Sequence, residues 1–456
     1  MTAVDGNPHS NHPTPASPPV QTHPTGDARP MRPLLAQPEP GLTAEDFLRR
    51  ARDLRDHLRS EQEATEQRTY YSQETHEIFL RDGFYRLLQP QAFGGYELRV
   101  SEFYRVIVEI ARGCPSTGWC LALGAGHALA FASQFGPDVQ ADAMGKDGHF
   151  IAPHRIVPSV RAVPHRDGWE LTGTWGYNSG APYSTHALGS VALPPGEDGT
   201  PRFGIAVVPR SCYTVLDDWG DGIGLRGSGS PSIRMENAVV PRGNVREAEG
   251  QDHLWAEPVG MALHGNPMYA GRLTGFFFGE SLAVATGIGR AMLDEYRSAL
   301  LEKKPMWNPH GLRADDAHYQ QWYGEACSLL DAAAAVLQQV GELYHDLCER
   351  EVRGEGEFGL ADDLRLTNLC AQGGRFATEA MDLLVRTGGS SALRQGSRTE
   401  RYWRDFSAYR AHSGAMTREL MALRFTVADL GAAGPARTVS DVESTTVNGE
   451  TTKAGS

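Results

Sequence analysis

The apolar positions of this chain change period twice between Thr43 and Arg437, and the two changes divide it into three parts. Thr43-x-x-Asp46 has the form of a capping box, and Phe47, Ala51, Leu54 and Leu58 follow at the spacing of one helix face. Helical patterns recur over Ile78 to Leu88 and Phe103 to Ala111. The small and apolar residues from Gly118 to Phe131 read as a buried helix. From about Ile151 the helical period gives way to short extended runs. Val160 to Pro164 and Trp169 to Thr174 flank Asp167-Gly168 like the arms of a hairpin. Phe203 to Val208 and Ile233 to Val240 are each followed by a proline, as expected for short strands of a sandwich or barrel-like unit. From about Pro267 helical spacing returns, and Leu330, Ala333, Leu337, Val340, Tyr344 and Leu347 come close to a heptad seam, which predicts a helix bundle. The expected fold is α+β, with an N-terminal helical domain (43–150), a middle β domain (151–266) and a C-terminal helix bundle (267–436) between disordered tails at 1–42 and 437–456.

Composition narrows the function classes. The 456 residues exceed what one core organises, about 250 to 300, so a sizeable buried site fits within the chain. A net charge of −13 provides no basic stripe for phosphates, which argues against nucleic acid as a partner and against an anionic membrane surface. The apolar stretch around Leu121 to Phe131 falls short of the ~20 residues a bilayer requires, so no membrane span is expected. Ten of the 28 prolines fall within residues 1–40, without a basic-then-apolar leader, and this stretch reads as a tail. The six cysteines are sparse, and Cys114 and Cys120 lack Cys-x-x-Cys spacing, which fits reduced thiols in a cytoplasm.

Motifs for common chemistries are missing or out of context. Gly222, Gly224 and Gly227 match a dinucleotide fingerprint in form, but the strand-like run from Ile233 to Val240 follows where a phosphate-facing helix is needed, so a glycine-rich β loop is expected. No Gly-x-Ser-x-Gly elbow, Walker A loop or His-Glu-x-x-His occurs. His149 and His154 have no carboxylate in ligand spacing, and no metal site is expected. Trp175 and Tyr177 alternate on a predicted strand ahead of Asn178, Ser179 and Gly180, so aromatic surface and a hydroxyl could meet one flat polar ring. An ordinary β-domain core with a Ser-Gly turn has the same pattern. Trp119 and His127 lie eight apart, close to two helical turns and nearly on one face, as a buried aromatic and a satisfied core histidine would also lie.

Taken in order, Ser116-x-x-Trp119 with His127, Trp175-x-Tyr177-x-Ser179-Gly180, Gly224 to Ser230, Asn266-Pro267-Met268-Tyr269, and Arg404-Asp405 followed by His412 resemble the group D flavin monooxygenases of the acyl-CoA dehydrogenase superfamily. The resemblance implies the oxygenase component of a two-component system, using reduced flavin (FADH2 or FMNH2) and O2 through a flavin C4a-hydroperoxide to hydroxylate an aromatic or phenolic molecule. It further implies flavin contacts from Trp119, Trp175, Tyr177, Asn178, Ser179, Gly180, Arg226 and Ser228. Substrate contacts are implied for Trp119, His127 and His154, and catalytic roles for Ser179 and His412. A separate NAD(P)H:flavin reductase and a homotetramer complete the expectation. Acyl-CoA dehydrogenases carry a catalytic glutamate several residues after an Arg-Asp pair; Ser413 falls at that place here. The alternative glutamate position of some dehydrogenases, on the first bundle helices, has no equivalent that the sequence aligns. His154 falls near where the relatives place a smaller polar substrate contact, and the proline-rich tail departs from their pattern. Oxygenation of nitrogen or sulfur, or a dehydrogenase reaction, are the alternatives.

Overall fold

The Thr43 hydroxyl accepts the Asp46 N–H while the Asp46 carboxylate accepts the Thr43 N–H at 2.9 Å, and this reciprocal cap starts helix α1 (Ala44–Asp53) where the sequence places it. The computed structural model describes residues 31, 33–146, 148–248, 256–307 and 310–431. Five helices complete the first part: α2 (Arg55–Arg68), α3 (Gln73–Arg81), α4 (Val100–Gly113), α5 (Pro115–Gln134) and α6 (Pro137–Met144). Helix α5 begins on Pro115, whose missing N–H would have no helical partner, and is buried on nearly its whole circumference because its many small residues let neighbours approach from every side.

Within the segment expected as an N-terminal tail, residues 33–42 pack on this first part. Leu35 forms a bridge with Phe93, the Gln37 amide donates to Gly95 O at 2.8 Å, and the Tyr96 hydroxyl donates to Glu39 O. The expectations for 1–30 and 437–456 lie outside the described residues.

Strands β1 (His154–His165) and β2 (Gly168–Trp175) form the expected hairpin, with His165 paired to Gly168. With β3 (His186–Leu193), β4 (Arg202–Pro209), β5 (Thr214–Val215), β6 (Ile233–Val240) and β7 (Val245–Glu247) they make one mixed sheet in the order β5-β6-β2-β1-β3-β4-β7. Among the described residues only β1 and β3 run parallel, and β5 and β7 are the two ends of the strand order, so one open sheet stands where a sandwich or barrel was expected.

After the short α7 (Gly260–His264), the long helices α8 (Thr274–Glu302), α9 (Ala317–Val352) and α10 (Leu360–Gly388) form the bundle, followed by α11 (Arg398–Ala411), α12 (Ser413–Met416) and α13 (Arg418–Leu430). The α9 seam from Leu330 to Tyr344 is buried within the chain. One hydrophobic core runs from Phe47 through α4 and α5 into the bundle as far as Tyr409, whereas the sheet has a core of its own around Trp175. The two helical parts therefore fold around shared apolar surface, with the sheet packed beside them.

Candidate active site

Two loops from the sheet are fastened together before they meet α5. The loop after β2 donates Asn178 N–H to Pro231 O, Gly180 N–H to Ser228 O and Ala181 N–H to Gly229 O, each at 3.2 Å. Gly180 adopts φ +80°, which glycine supplies without strain. This pairing brings three hydroxyls into a chain: Ser179 Oγ lies 2.9 Å from Ser230 Oγ, which lies 2.7 Å from Ser228 Oγ. Trp119 on α5 donates its indole N–H to Ser179 Oγ at 2.9 Å. When Ser230 donates to Ser179, the Ser179 O–H is free to donate outward.

The glycine-rich loop is held by residues 180 positions further along the chain. Leu225 takes a left-handed φ of 51°, and its N–H donates to the buried Asp405 carboxylate at 2.6 Å. A Cβ at Gly224 would stand 2.0 Å from Arg404 O, so the close approach requires glycine. Arg404 in turn bonds Glu66 and Glu400, and Glu66 also receives Arg401. The loop makes a 3-10 turn over Arg226–Ser228 and leads into β6, as a β loop and not a nucleotide fingerprint. The Arg-Asp pair thus anchors the loop that carries Ser228 and Ser230.

His412 ends α11, with its ring edge-on to Trp119 at 4.9 Å between centroids and 84° between planes. Burial, followed by the positive charge of Arg155, lowers its pKa to about 4. Its Nδ1 accepts the Gly414 N–H at 3.2 Å. A neutral imidazole accepting on Nδ1 carries its proton on Nε2, so His412 presents a neutral N–H donor.

Two turns along α5, roughly 12 Å from Trp119, a second polar group is buried. His127 donates from Nδ1 to Ala152 O at 2.8 Å, and its Nε2 stands 3.6 Å from Glu280 Oε2 on α8. His154, at the start of β1, meets His127 edge-on at 5.3 Å, and Phe277 packs against both rings. Burial raises the Glu280 pKa against the pull of His127, and burial, then His127, lowers that of His154. Glu280 carries no motif, and one acidic residue within an apolar helix is not singled out by periodicity. It does supply a buried carboxylate on the first long bundle helix, where the sequence aligns none.

Of the expected site residues, Trp119, Ser179, Ser228 and His412 meet at one end, Gly180 joins their loops, and His127 and His154 meet at the other. Trp175 goes elsewhere: it is fully buried in the sheet core, packs on Gly189 and donates to Ser190 O at 3.1 Å. Tyr177 is 70% exposed at φ 59°, beside Trp219 and with the Arg155 guanidinium 6.0 Å from its ring centroid. Strand β2 ends at Trp175 and the chain turns at Tyr177, so the two rings do not share a face. Asn178 is buried with its amide on Trp175 O and Pro231 O, which makes it a tie between loops. Arg226 donates to Gly220 O and lies 3.6 Å from Glu66, bracing the glycine-rich loop. Asn266 caps the turn before α8 and donates to Glu97, while the Tyr269 hydroxyl donates to Leu88 O, so that motif ties the first helical part to the entry of the bundle.

The first end brings together an indole, a hydroxyl and a neutral imidazole N–H from three separate parts of the chain. Among the described residues no cluster of His, Cys, Asp and Glu suits a metal ion, and no helix is long and apolar enough to cross a membrane. The family model for the acyl-CoA dehydrogenase C-terminal domain matches residues 281–417. The chain is 28% identical over 78% of its length to the flavin-dependent monooxygenase oxygenase subunit HsaA of Rhodococcus jostii, covering 91% of that protein. It is 24% identical over 72% of its length to the oxygenase component of an FADH2-dependent resorcinol hydroxylase of a Rhizobium species, covering 81% of that protein. The solved 3-HSA hydroxylase of Rhodococcus sp. RHA1 superposes with a TM-score of 0.75 at 25% identity, over 86% of this chain and 98% of that one.

Proposed function

We propose that this chain, a flavin-dependent monooxygenase of the acyl-CoA dehydrogenase-like fold, hydroxylates a small aromatic or phenolic molecule as the oxygenase component of a two-component system. Reduced flavin is its cofactor and O2 its co-substrate. The observation that carries the reading is the meeting of Trp119, Ser179 and His412 from α5, a sheet loop and the end of α11.

Reduced flavin, when bound, supplies the two electrons with which O2 gives one oxygen atom to the acceptor and the other to water. Ser179 would hold the polar edge of the ring system, with Trp119 keeping that hydroxyl in place. His412 would donate from Nε2 to oxygen as negative charge develops there, and its neutrality keeps a mobile proton out of the pocket. Exclusion of water from the closed site would favour transfer to substrate over loss of hydrogen peroxide. The aromatic acceptor would lie toward His127, His154 and Phe277. FAD and FMN both suit this arrangement. A diffusing NAD(P)H:flavin reductase as partner, a homotetrameric assembly and a cytoplasmic location complete the proposal.

The test is to titrate the protein anaerobically with reduced and oxidised flavin, then supply reduced flavin from a separate reductase with resorcinol and a panel of simple phenols. Tighter binding of reduced flavin and a hydroxylated product are expected. Glu280 on α8 gives a dehydrogenase reading one specific point of support, and bleaching of bound oxidised flavin by an acyl-CoA would favour it over ours.

A further inference from the structure

Three guanidinium groups converge on one carboxylate of α2. Glu66, half-buried near the end of that helix, accepts from Arg401 Nε at 2.9 Å and from Arg404 Nη1 at 2.5 Å, both on α11, and Arg226 of the glycine-rich loop stands 3.6 Å away. Arg404 also donates from Nε to Glu400 and from Nη1 to Ile223 O at 3.0 Å, so the guanidinium that Glu66 fixes reaches into the loop itself. One residue further along, Asp405 accepts the Leu225 N–H.

Backbone contacts seat the loop on the same stretch of α2. Gly229 N–H donates to Thr69 O at 2.7 Å, and a Cβ at Gly227 would stand 2.6 Å from Thr65 Cγ2. Glu66 thus lies between the loop that carries Ser228 and Ser230 and the helix that ends in His412. Arg404 and His412 are separated by ~12 Å of helix, and a helix transmits a shift at one point to its end. A displacement of about 1 Å at a reacting group can cost as much as ~100-fold in rate. The carboxylate that fixes α11 against the loop therefore bears on where the imidazole stands.

We propose that Glu66 is a positioning residue of the oxygen-transfer site: it locks the glycine-rich loop to α11, so that the hydroxyl chain and the His412 imidazole are held at one fixed separation. The proposal rests on the reading of these two groups as the flavin side of a monooxygenase. Glu66 touches neither flavin nor oxygen in it and acts only through the three arginines.

The experiment compares full-length wild type, Glu66→Gln and Arg226→Gln by hydrogen exchange with mass spectrometry, by reduced-flavin affinity, and by the ratio of product to oxygen consumed with phenol as acceptor, the last also in a His412→Ala background. Glu66→Gln retains the shape of the side chain and withdraws the charge that orders the arginines. In the flavin-free protein it should speed exchange by about threefold or more in both the 220–230 and the 405–414 segments, with strands β1 to β4 exchanging as in wild type. The product ratio should fall roughly tenfold, well within what a misplaced donor can cost. In the His412→Ala background the same substitution should lower the ratio by less than about twofold, because the donor that Glu66 positions is already gone. The Arg226 side chain is 42% exposed, so Arg226→Gln releases the loop's tie to Glu66 without disturbing a buried charge; it should still speed exchange at 405–414, and it decides the matter if Glu66→Gln does not fold. Faster exchange confined to one of the two segments, or an equal fall of the product ratio with and without His412, would overturn the proposal and leave the monooxygenase reading standing. A wild-type protein that binds no reduced flavin would overturn that reading, and the proposal with it.

Discussion

An imidazole that is buried, feels the charge of Arg155 and accepts the Gly414 N–H on Nδ1 has one state available near neutral pH: uncharged, with its proton on Nε2. A pKa lowered to about 4 means that the neutral form persists as pH falls, until that value is approached. The ratio of product to oxygen consumed should accordingly show no step attributable to His412 between pH 8 and roughly 5.5. A step near 6.5 that disappears in His412→Ala would refute this. The same variant should uncouple the reaction. A donor lost from an oxyanion site costs ~2.7 to 4 kcal/mol, and half of that corresponds to about tenfold, so peroxide should dominate over product. If His412 only packs between helices, the variant would melt earlier and retain its coupling. Ser179→Ala removes the hydroxyl proposed to meet the polar edge of the flavin, a loss of about 1 kcal/mol, so reduced-flavin affinity should fall roughly fivefold, and the stranded Trp119 N–H should lower the melting temperature as well. An equilibrium titration giving the wild-type value would remove Ser179 from the site.

At the scale of elements, the glycine-rich loop is positioned by Asp405, 180 residues away from Leu225 in the chain. Asp405→Ala leaves the buried Leu225 N–H without an acceptor, which should cost ~1 to 3 kcal/mol and weaken flavin binding as Ser228 and Ser230 lose their register. Asp405→Asn retains a carbonyl oxygen and should recover most of both losses. Equal effects of the two variants on melting temperature and flavin affinity would show that charge, and not the bond to Leu225, holds the loop. The start of α1, the hairpin about Gly168 and the buried α5 were legible in the sequence because each depends on residues adjacent in the chain. Trp175 and Tyr177 were misplaced for a physical reason: alternation predicts a shared face only while the strand continues, and β2 stops at Trp175. The role of Arg226 was equally hidden, since its contacts with Gly220 and Glu66 depend on how the loop folds back over α2.

For the whole molecule, the core shared by the first helices and the bundle explains how residues as distant in sequence as Trp119 and His412 come into contact. Local patterns gave the three parts but not this continuity, and Glu280 became visible only once α8 lay against α5. The same core sets the limit for truncation. Removing residues 1–30 should leave turnover nearly unchanged, whereas extending the deletion through residue 42 also removes the Leu35–Phe93 bridge and the contacts of Gln37 and Glu39, and should lower the melting temperature by several degrees. Identical melting curves for the two truncations would count against that role. The destination of oxygen is followed most directly with 18O2. With reduced flavin supplied by a separate reductase and resorcinol or another simple phenol as acceptor, mass spectrometry should find one 18O atom in each molecule of hydroxylated product. Consumption of 18O2 entirely as hydrogen peroxide across the whole panel, with no labelled product, would contradict the account.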